Sequence, residues 1–213
     1  PQGNATTGLG FDRQLLDRDL YEVLMNDVPM LDVVRPTSVE GLFCAPSGTH
    51  LKDAELELVP AIGGEMRLRT AMVEAAENFD YVLIDCPPSF SLLTKNGLVA
   101  AKEVLIPVQC EYYALEGLVQ LLDHVDEVRR YMNPALQVTT IVLVMYDGRT
   151  QLAQAVVDDV IQHFGDKVCR NKIPRTVKLA EAPSFGEPIS VFAPSSRGAV
   201  AYKELAREVS GVS

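Results

Sequence analysis

With 213 residues, 47% of them hydrophobic, the chain is long enough to bury one substantial core and is expected to form one domain. Nothing in it is long or apolar enough to cross a membrane as a helix, because the longest candidates, YVLID at 81–85 and VTTIVLVM at 138–145, are strand-length, and no basic segment leading into an apolar one opens the chain. The net charge of −10 argues against a nucleic-acid binder until its distribution is counted: residues 1–148 hold 10 Lys+Arg against 22 Asp+Glu, a balance of −12, whereas residues 149–213 hold 9 against 7, a balance of +2.

Residues 18–26, DRDLYEVLM, place Leu20, Val23 and Leu24 at helical spacing behind an acidic start. Residues 65–78 repeat the pattern with Met66, Leu68, Met72, Val73 and Ala76, so both stretches are predicted helices. Between them, Leu42 to Ala45 is a predicted short strand before a Pro-Ser-Gly turn, and Asp53 is expected to cap a short helix running through Leu58. Then comes Phe79 to Ser89, FDYVLIDCPPS. Tyr81, Val82, Leu83 and Ile84 have the uninterrupted apolar character of a parallel strand covered on both faces, and Pro87 and Pro88 must end it. Read from spacing alone, Asp85 either delivers a carboxylate to a ligand site at the carboxyl edge of the sheet or caps the turn before the next helix. Helix 91–101, strand 103–108, helix 114–132, strand 137–145, helix 150–164, strand 168–173 and helix 198–210 follow. Strands separated by helices of this length imply right-handed crossovers and an α/β fold, a mostly parallel twisted sheet with helices on both faces.

Cys44, Cys86, Cys110 and Cys169 show no C-x-x-C pairing and lie in or beside apolar runs, as reduced core thiols of a cytoplasmic protein would. Lys167, Arg170, Lys172, Arg175 and Lys178 fall within a run that contains no acid, which is either a solvated face or a nucleic-acid contact. At the chain end, AYKELAREVSGVS, the residues Ala201, Leu205 and Val209 recur at helical spacing and are expected to face the core, with no bulky apolar anchor after them.

Five blocks occur in order along the chain: PQGNATTGLG at 1–10, FDYVLIDCPPS at 79–89, QCEYYALEGL at 109–118, MYDGRT at 145–150 and IPRTVKLAEAPSFGEPI at 173–189. Together they resemble the ParA/Soj family of chromosome- and plasmid-partitioning ATPases, members of the MinD-like superfamily with a deviant Walker A loop, over essentially the whole chain. The family's KGGVGKT-type loop is not among these residues, for no Gly-Lys dipeptide occurs in them, and the chain opens on Pro1 rather than methionine. The expectation is therefore a ParA-like domain, incomplete before PQGN, that lacks the first P-loop strand and helix and is not active or stably folded on its own.

The resemblance implies ATP and magnesium as ligands. Asp85 matches the Walker B acid that holds the magnesium ion, usually through water. Pro1, Gln2, Gly3 and Asn4 match switch I, and Pro87, Pro88 and Ser89 match switch II. Pro174 and Arg175 match the segment near the adenine, and Glu111 would lie at the nucleotide edge of the sheet. Arg149 and Lys178 match family positions on which non-specific DNA binding depends, through phosphate contacts that are steeply salt-dependent. The implied cycle is ATP-dependent homodimerisation and nucleoid binding, with hydrolysis stimulated by a ParB-like centromere-binding partner. Two other readings stand beside it: a MinD-like membrane-cycling ATPase, against which the chain end argues, and a nucleotide-free DNA-binding or scaffolding module.

Overall fold

The computed structural model describes residues 1–112 and 114–211, so Tyr113 of the QCEYYALEGL block and Val212 and Ser213 of the chain end lie outside the described residues. Two units are distinguished. The first holds Pro1–Lys102, Val128–Leu136 and Pro183–Glu187; the second holds Glu103–Glu127, Gln137–Ala182 and the residues from Pro188 onward.

In the first unit, helix α1 (Asn4–Gly8) leads into a loop and then α2 (Leu20–Asn26). The latter starts two residues later than the acidic run suggests, because Asp19 is extended and its carboxylate accepts a 2.6 Å hydrogen bond from the Tyr21 amide, making it the N-cap. Helix α3 (Met30–Val33) is followed by a hairpin-like antiparallel pair, β1 (Arg35–Pro36) with β2 (Phe43–Cys44). Helix α4 (Leu51–Glu57) has His50 rather than Asp53 as its N-cap residue, and Asp53 lies inside the first turn with its carboxylate 3.4 Å from His50 Nδ1. The predicted helix 65–78 is shorter, α5 (Arg67–Ala75), with a 3-10 turn at each end. Its apolar residues do not share one face: Leu68 and Met72 pack on the core of Val23, Met30, Val33 and Ala75, while Met66 and Val73 are exposed. Helix α6 (Leu92–Ala100) closes the unit, with Leu93 against Leu24, Leu51, Ala54 and Leu58.

Two buried amides hold α6. The Asn96 side chain donates to Gly64 O (2.8 Å) and Leu92 O (3.1 Å) and accepts from the Leu68 amide (3.0 Å). Asn133 Nδ2 donates to the terminal carbonyls of Leu98, Val99 and Ala101 at 2.7–3.2 Å, so the helix end that sequence leaves without a cap is satisfied from a distant turn.

The second unit is built on a parallel pair, β3 (Glu103–Gln109) and β4 (Gln137–Val144), in register from Glu103 opposite Gln137 to Gln109 opposite Val144, with one irregularity between Val104 and Leu105. Helix α7 (Ala114–Tyr131) connects them, its last turn belonging to the first unit, and α8 (Gln151–Phe164), α9 (Val177–Glu181), α10 (Ile189–Phe192) and α11 (Arg197–Ser210) follow. The two-residue period of β4 divides its side chains between two cores. Ile141 and Leu143 pack with Ile106, Val108, Leu118, Val156, Val157 and Val160, and Val142 packs with Cys169, Ile173 and Leu205. Helices thus cover both faces of a parallel sheet, the α/β arrangement expected of the sequence.

Three expectations are corrected. Residues 168–173 run along the free edge of β4 but form only isolated bridges, Ile141 with Val168 and Tyr146 with Pro174. The interruption has a cause: the amides of Arg170 and Asn171 turn away to the Glu208 carboxylate (2.6 and 3.1 Å), which also accepts from Asn171 Nδ2 at 2.7 Å. Val209 is exposed, so α11 buries Leu205 and half-buries Ala201 without it. Finally, residues 79–87 are not a buried strand. They pair with no strand among the described residues, and Tyr81 and Leu83 are 69% and 90% exposed. An all-apolar strand needs a ladder on each side and a layer on each face; here the segment has only Phe79 against Phe43, rings 5.5 Å apart, and Ile84 and Cys86 over α6. Gly97 permits that approach, since a Cβ there would stand 2.7 Å from Cys86 Sγ.

All four cysteines are unpaired; Cys110 and Cys169 are buried, Cys44 is half-buried, and Cys86 is exposed rather than a core thiol. Among the described residues no helix is long and apolar enough to cross a membrane.

Candidate nucleotide-switch site

Asp85 stands at the end of the extended segment with its side chain exposed, and no hydrogen bond or ion pair engages its carboxylate among the described residues. Close by lies Pro1. The carboxylates of Asp85 and Glu55 both lie within electrostatic reach of it. The PQGN segment and Asp85, separated by most of the first unit's sequence, are therefore brought together.

The Pro1–Asn4 segment is fixed by its surroundings. Gly3 is the N-cap of α1 with φ 70°, a left-handed conformation that favours glycine, and its carbonyl accepts from the Thr7 amide at 3.0 Å. On the other side of Asp85, Pro87 is half-buried and Pro88 and Ser89 are exposed. The Ser89 carbonyl accepts from Thr94 Oγ1 at 2.7 Å, tying this turn to the first turn of α6. Ser91, the N-cap of α6, makes no side-chain cap, and its buried Oγ has no hydrogen-bond partner.

A second cluster lies in the other unit. Glu111 follows β3 and pairs with Arg175 (3.2 Å), whose amide donates to Tyr146 O at 3.2 Å beside the Pro174 bridge. Arg149 sits in the turn before α8, where it forms a two-pronged pair with Asp147, Nε to Oδ1 at 2.8 Å and Nη2 to Oδ2 at 2.7 Å. That pairing holds the Asp147 carboxyl down to about 2. Lys178, in the first turn of α9, pairs with Glu181 at 2.9 Å and lies 5.4 Å from the Phe192 ring centre. Both cations singled out in the sequence thus carry a carboxylate of their own. The Asp147 partner was legible in the DGR spacing as an Asx-type turn; Arg13, Glu208 and Asn133, which act across long sequence separations, had no such signal.

No group of three or more metal-ligating side chains occurs among the described residues. A single free, solvent-facing carboxylate is nonetheless the donor that magnesium takes when water and phosphate complete its shell, so Asp85 fits that ion.

Comparison with known proteins gives the family of the chain. A family model described as an AAA domain matches residues 1–138. The sporulation initiation inhibitor protein Soj of Bacillus subtilis (strain 168) is 48% identical over 209 residues, 98% of this chain and 83% of the relative. The chromosome-partitioning ATPase Soj of Treponema pallidum (strain Nichols) is 47% identical over 209 residues, 98% of this chain and 81% of the relative. Among solved structures, cobyrinic acid a,c-diamide synthase from Mycobacterium smegmatis with bound ATP analog and magnesium superposes with a TM-score of 0.82 at 34% identity, covering 99% of this chain and 80% of that chain.

Proposed function

Because the chain belongs to the ParA/Soj family of partitioning ATPases, we propose that it carries the switch and metal-binding half of a magnesium-dependent ATPase that segregates DNA. The observation that carries the proposal is a solvent-facing Asp85 carboxylate at the end of the FDYVLIDCPPS segment, in a chain 47% identical to a chromosome-partitioning ATPase. Curated relatives named for chromosome partitioning are 45–48% identical, against 34% for the diamide synthase, which favours segregation over amide synthesis.

In this reading Asp85 holds magnesium through water, Pro1–Asn4 act as switch I and Pro87–Ser89 as switch II. When bound, magnesium would supply the positive charge that Asp85 offsets, and ATP the terminal phosphate whose loss resets the switch. The Thr94 bond to Ser89 makes α6 the element that a shift of switch II moves. Glu111, Pro174 and Arg175 line the nucleotide edge. Two copies close on ATP, the Arg149 and Lys178 side chains exchange their carboxylates for DNA phosphates, and a ParB-like partner stimulates hydrolysis. Helix α11 spends Leu205 and Ala201 on the core of β4, which supports a cycle at the nucleoid in the cytoplasm rather than on a membrane. The lysine-bearing phosphate loop is not among the 213 residues, so the test uses the protein as encoded. Magnesium-dependent ATP hydrolysis lost in Asp85→Ala is the expected result; wild-type turnover in that variant would reduce Asp85 to a turn cap.

A further inference from the structure

Arg13 has no part in the site as described so far, yet its side chain is the most heavily bonded cation of the first unit. It lies half-buried in the loop between α1 and α2, and it donates to four main-chain carbonyls: Nη1 to Gln2 O (2.6 Å), Nη2 to Pro1 O (2.8 Å) and to Gly48 O (2.5 Å), and Nε to Ser47 O (2.9 Å). Two of these carbonyls belong to the PQGN segment and two to the buried Pro46–Gly48 turn. A guanidinium offers five N–H donors in a rigid planar fork, so one side chain can fix two segments at once, which a lysine ammonium cannot do with the same geometry.

The surroundings are shaped for this. Gly3 lies directly against the fork, and a Cβ at that position would overlap the Arg13 guanidinium. Thr6 Oγ1 accepts from the Ser47 amide at 2.9 Å, so the same turn is fastened to α1 by a second, independent bond.

We infer that Arg13 is a positioning residue for switch I: its fork locks Pro1 and Gln2 to the 46–48 turn and so sets the distance between the PQGN segment and Asp85. The inference rests on the assignment of Pro1–Asn4 as switch I. Loss of the fork leaves the nucleotide contacts of other segments in place but lets the switch drift, so the chemical step suffers more than binding.

The test compares Arg13→Met, of similar length without donors, and Arg13→Lys with the parent protein as encoded. In single-turnover hydrolysis of pre-bound ATP, normalised to nucleotide bound, Arg13→Met is expected to be slower by about 10- to 100-fold, the cost of a small misplacement at a reacting centre. ATP affinity should change by less than about threefold, and Arg13→Lys should recover part of the rate. Hydrogen exchange at the Thr7 and Ser47 amides should accelerate in Arg13→Met. A single-turnover rate within twofold of the parent, even with a lowered melting temperature, would overturn the inference and leave Arg13 a structural residue. If the parent itself hydrolyses no ATP, the proposed function fails, and exchange alone decides for Arg13: acceleration confined to these two segments upholds the lock, and unchanged exchange overturns it.

Discussion

Replacing Asp147 by Asn should strengthen DNA binding. Asn keeps the Oδ1 that accepts the Arg149 amide at 3.1 Å, so the turn leading into α8 survives, but it removes the charge that holds the guanidinium in its two-pronged pair. The Arg149 side chain is 90% exposed, and an ion pair so placed contributes little, which limits the gain in affinity at low salt to about fivefold. A freed guanidinium able to neutralise one more phosphate steepens the fall of log affinity with log salt by about 0.9, or about twice that if two copies bind together. Fluorescence anisotropy on two unrelated duplexes across a salt series measures both quantities, with ATP and magnesium present. The same change on both duplexes marks a phosphate contact, and Arg149→Ala should move the slope the other way. Because the Asp147 carboxyl is held down to about 2, the pair stays charged at all working pH, and the difference between variant and parent should be constant from about pH 5 to 8. Identical slopes and affinities for Asp147→Asn, Arg149→Ala and the parent would remove Arg149 from the DNA surface.

Two further outcomes concern stability. Asn96→Ala strands the Leu68 amide and the Gly64 carbonyl in the core, a cost of about 2–4 kcal/mol, and thermal unfolding followed by circular dichroism should show a melting temperature lower by roughly 5–15 °C; a drop below about 2 °C would show that the site relaxes around the loss. For Glu208, burial works against ionisation, but the bonds from the Arg170 and Asn171 amides and the Asn171 side chain outweigh it and the carboxyl is lowered. Its folded value lies below its unfolded one, so its contribution is complete above the ordinary carboxylate range and is lost as pH falls through the folded value. Glu208→Gln should therefore be less stable than the parent by about 1 kcal/mol at neutral pH in urea titrations, with the gap closing in acid; a gap independent of pH would refute the charge-based account.

Periodic elements were legible because each is local. The apolar spacing of 150–164 and the alternation hidden in VTTIVLVM determine α8 and β4 almost to the residue, since each side chain's partner layer follows from its own position along the element. FDYVLIDCPPS failed for a complementary reason. Its composition states what it can bury, but a strand is made by neighbours, and Leu83 has none among the described residues. Of the site, the carboxylate and the PQGN turn were readable as motifs. Arg13 and Glu208 were not, because a hydrogen bond between a side chain and a backbone group 34 or 38 positions away leaves no pattern in the order of residues.

The exposed run from Tyr81 to Leu83 also bears on how a polypeptide of these 213 residues behaves at high concentration. Three uncharged, strand-prone residues in an extended backbone that pairs with no strand among the described residues are a template for edge-to-edge association between copies. Asp80 on one side, and Asp85 with Pro87 and Pro88 on the other, bracket that run as charged and proline gatekeepers. The acid proposed to meet the metal is thus also a guard against aggregation, and a neutral substitution at Asp85 removes both at once, so sedimentation of the variant belongs beside its kinetics.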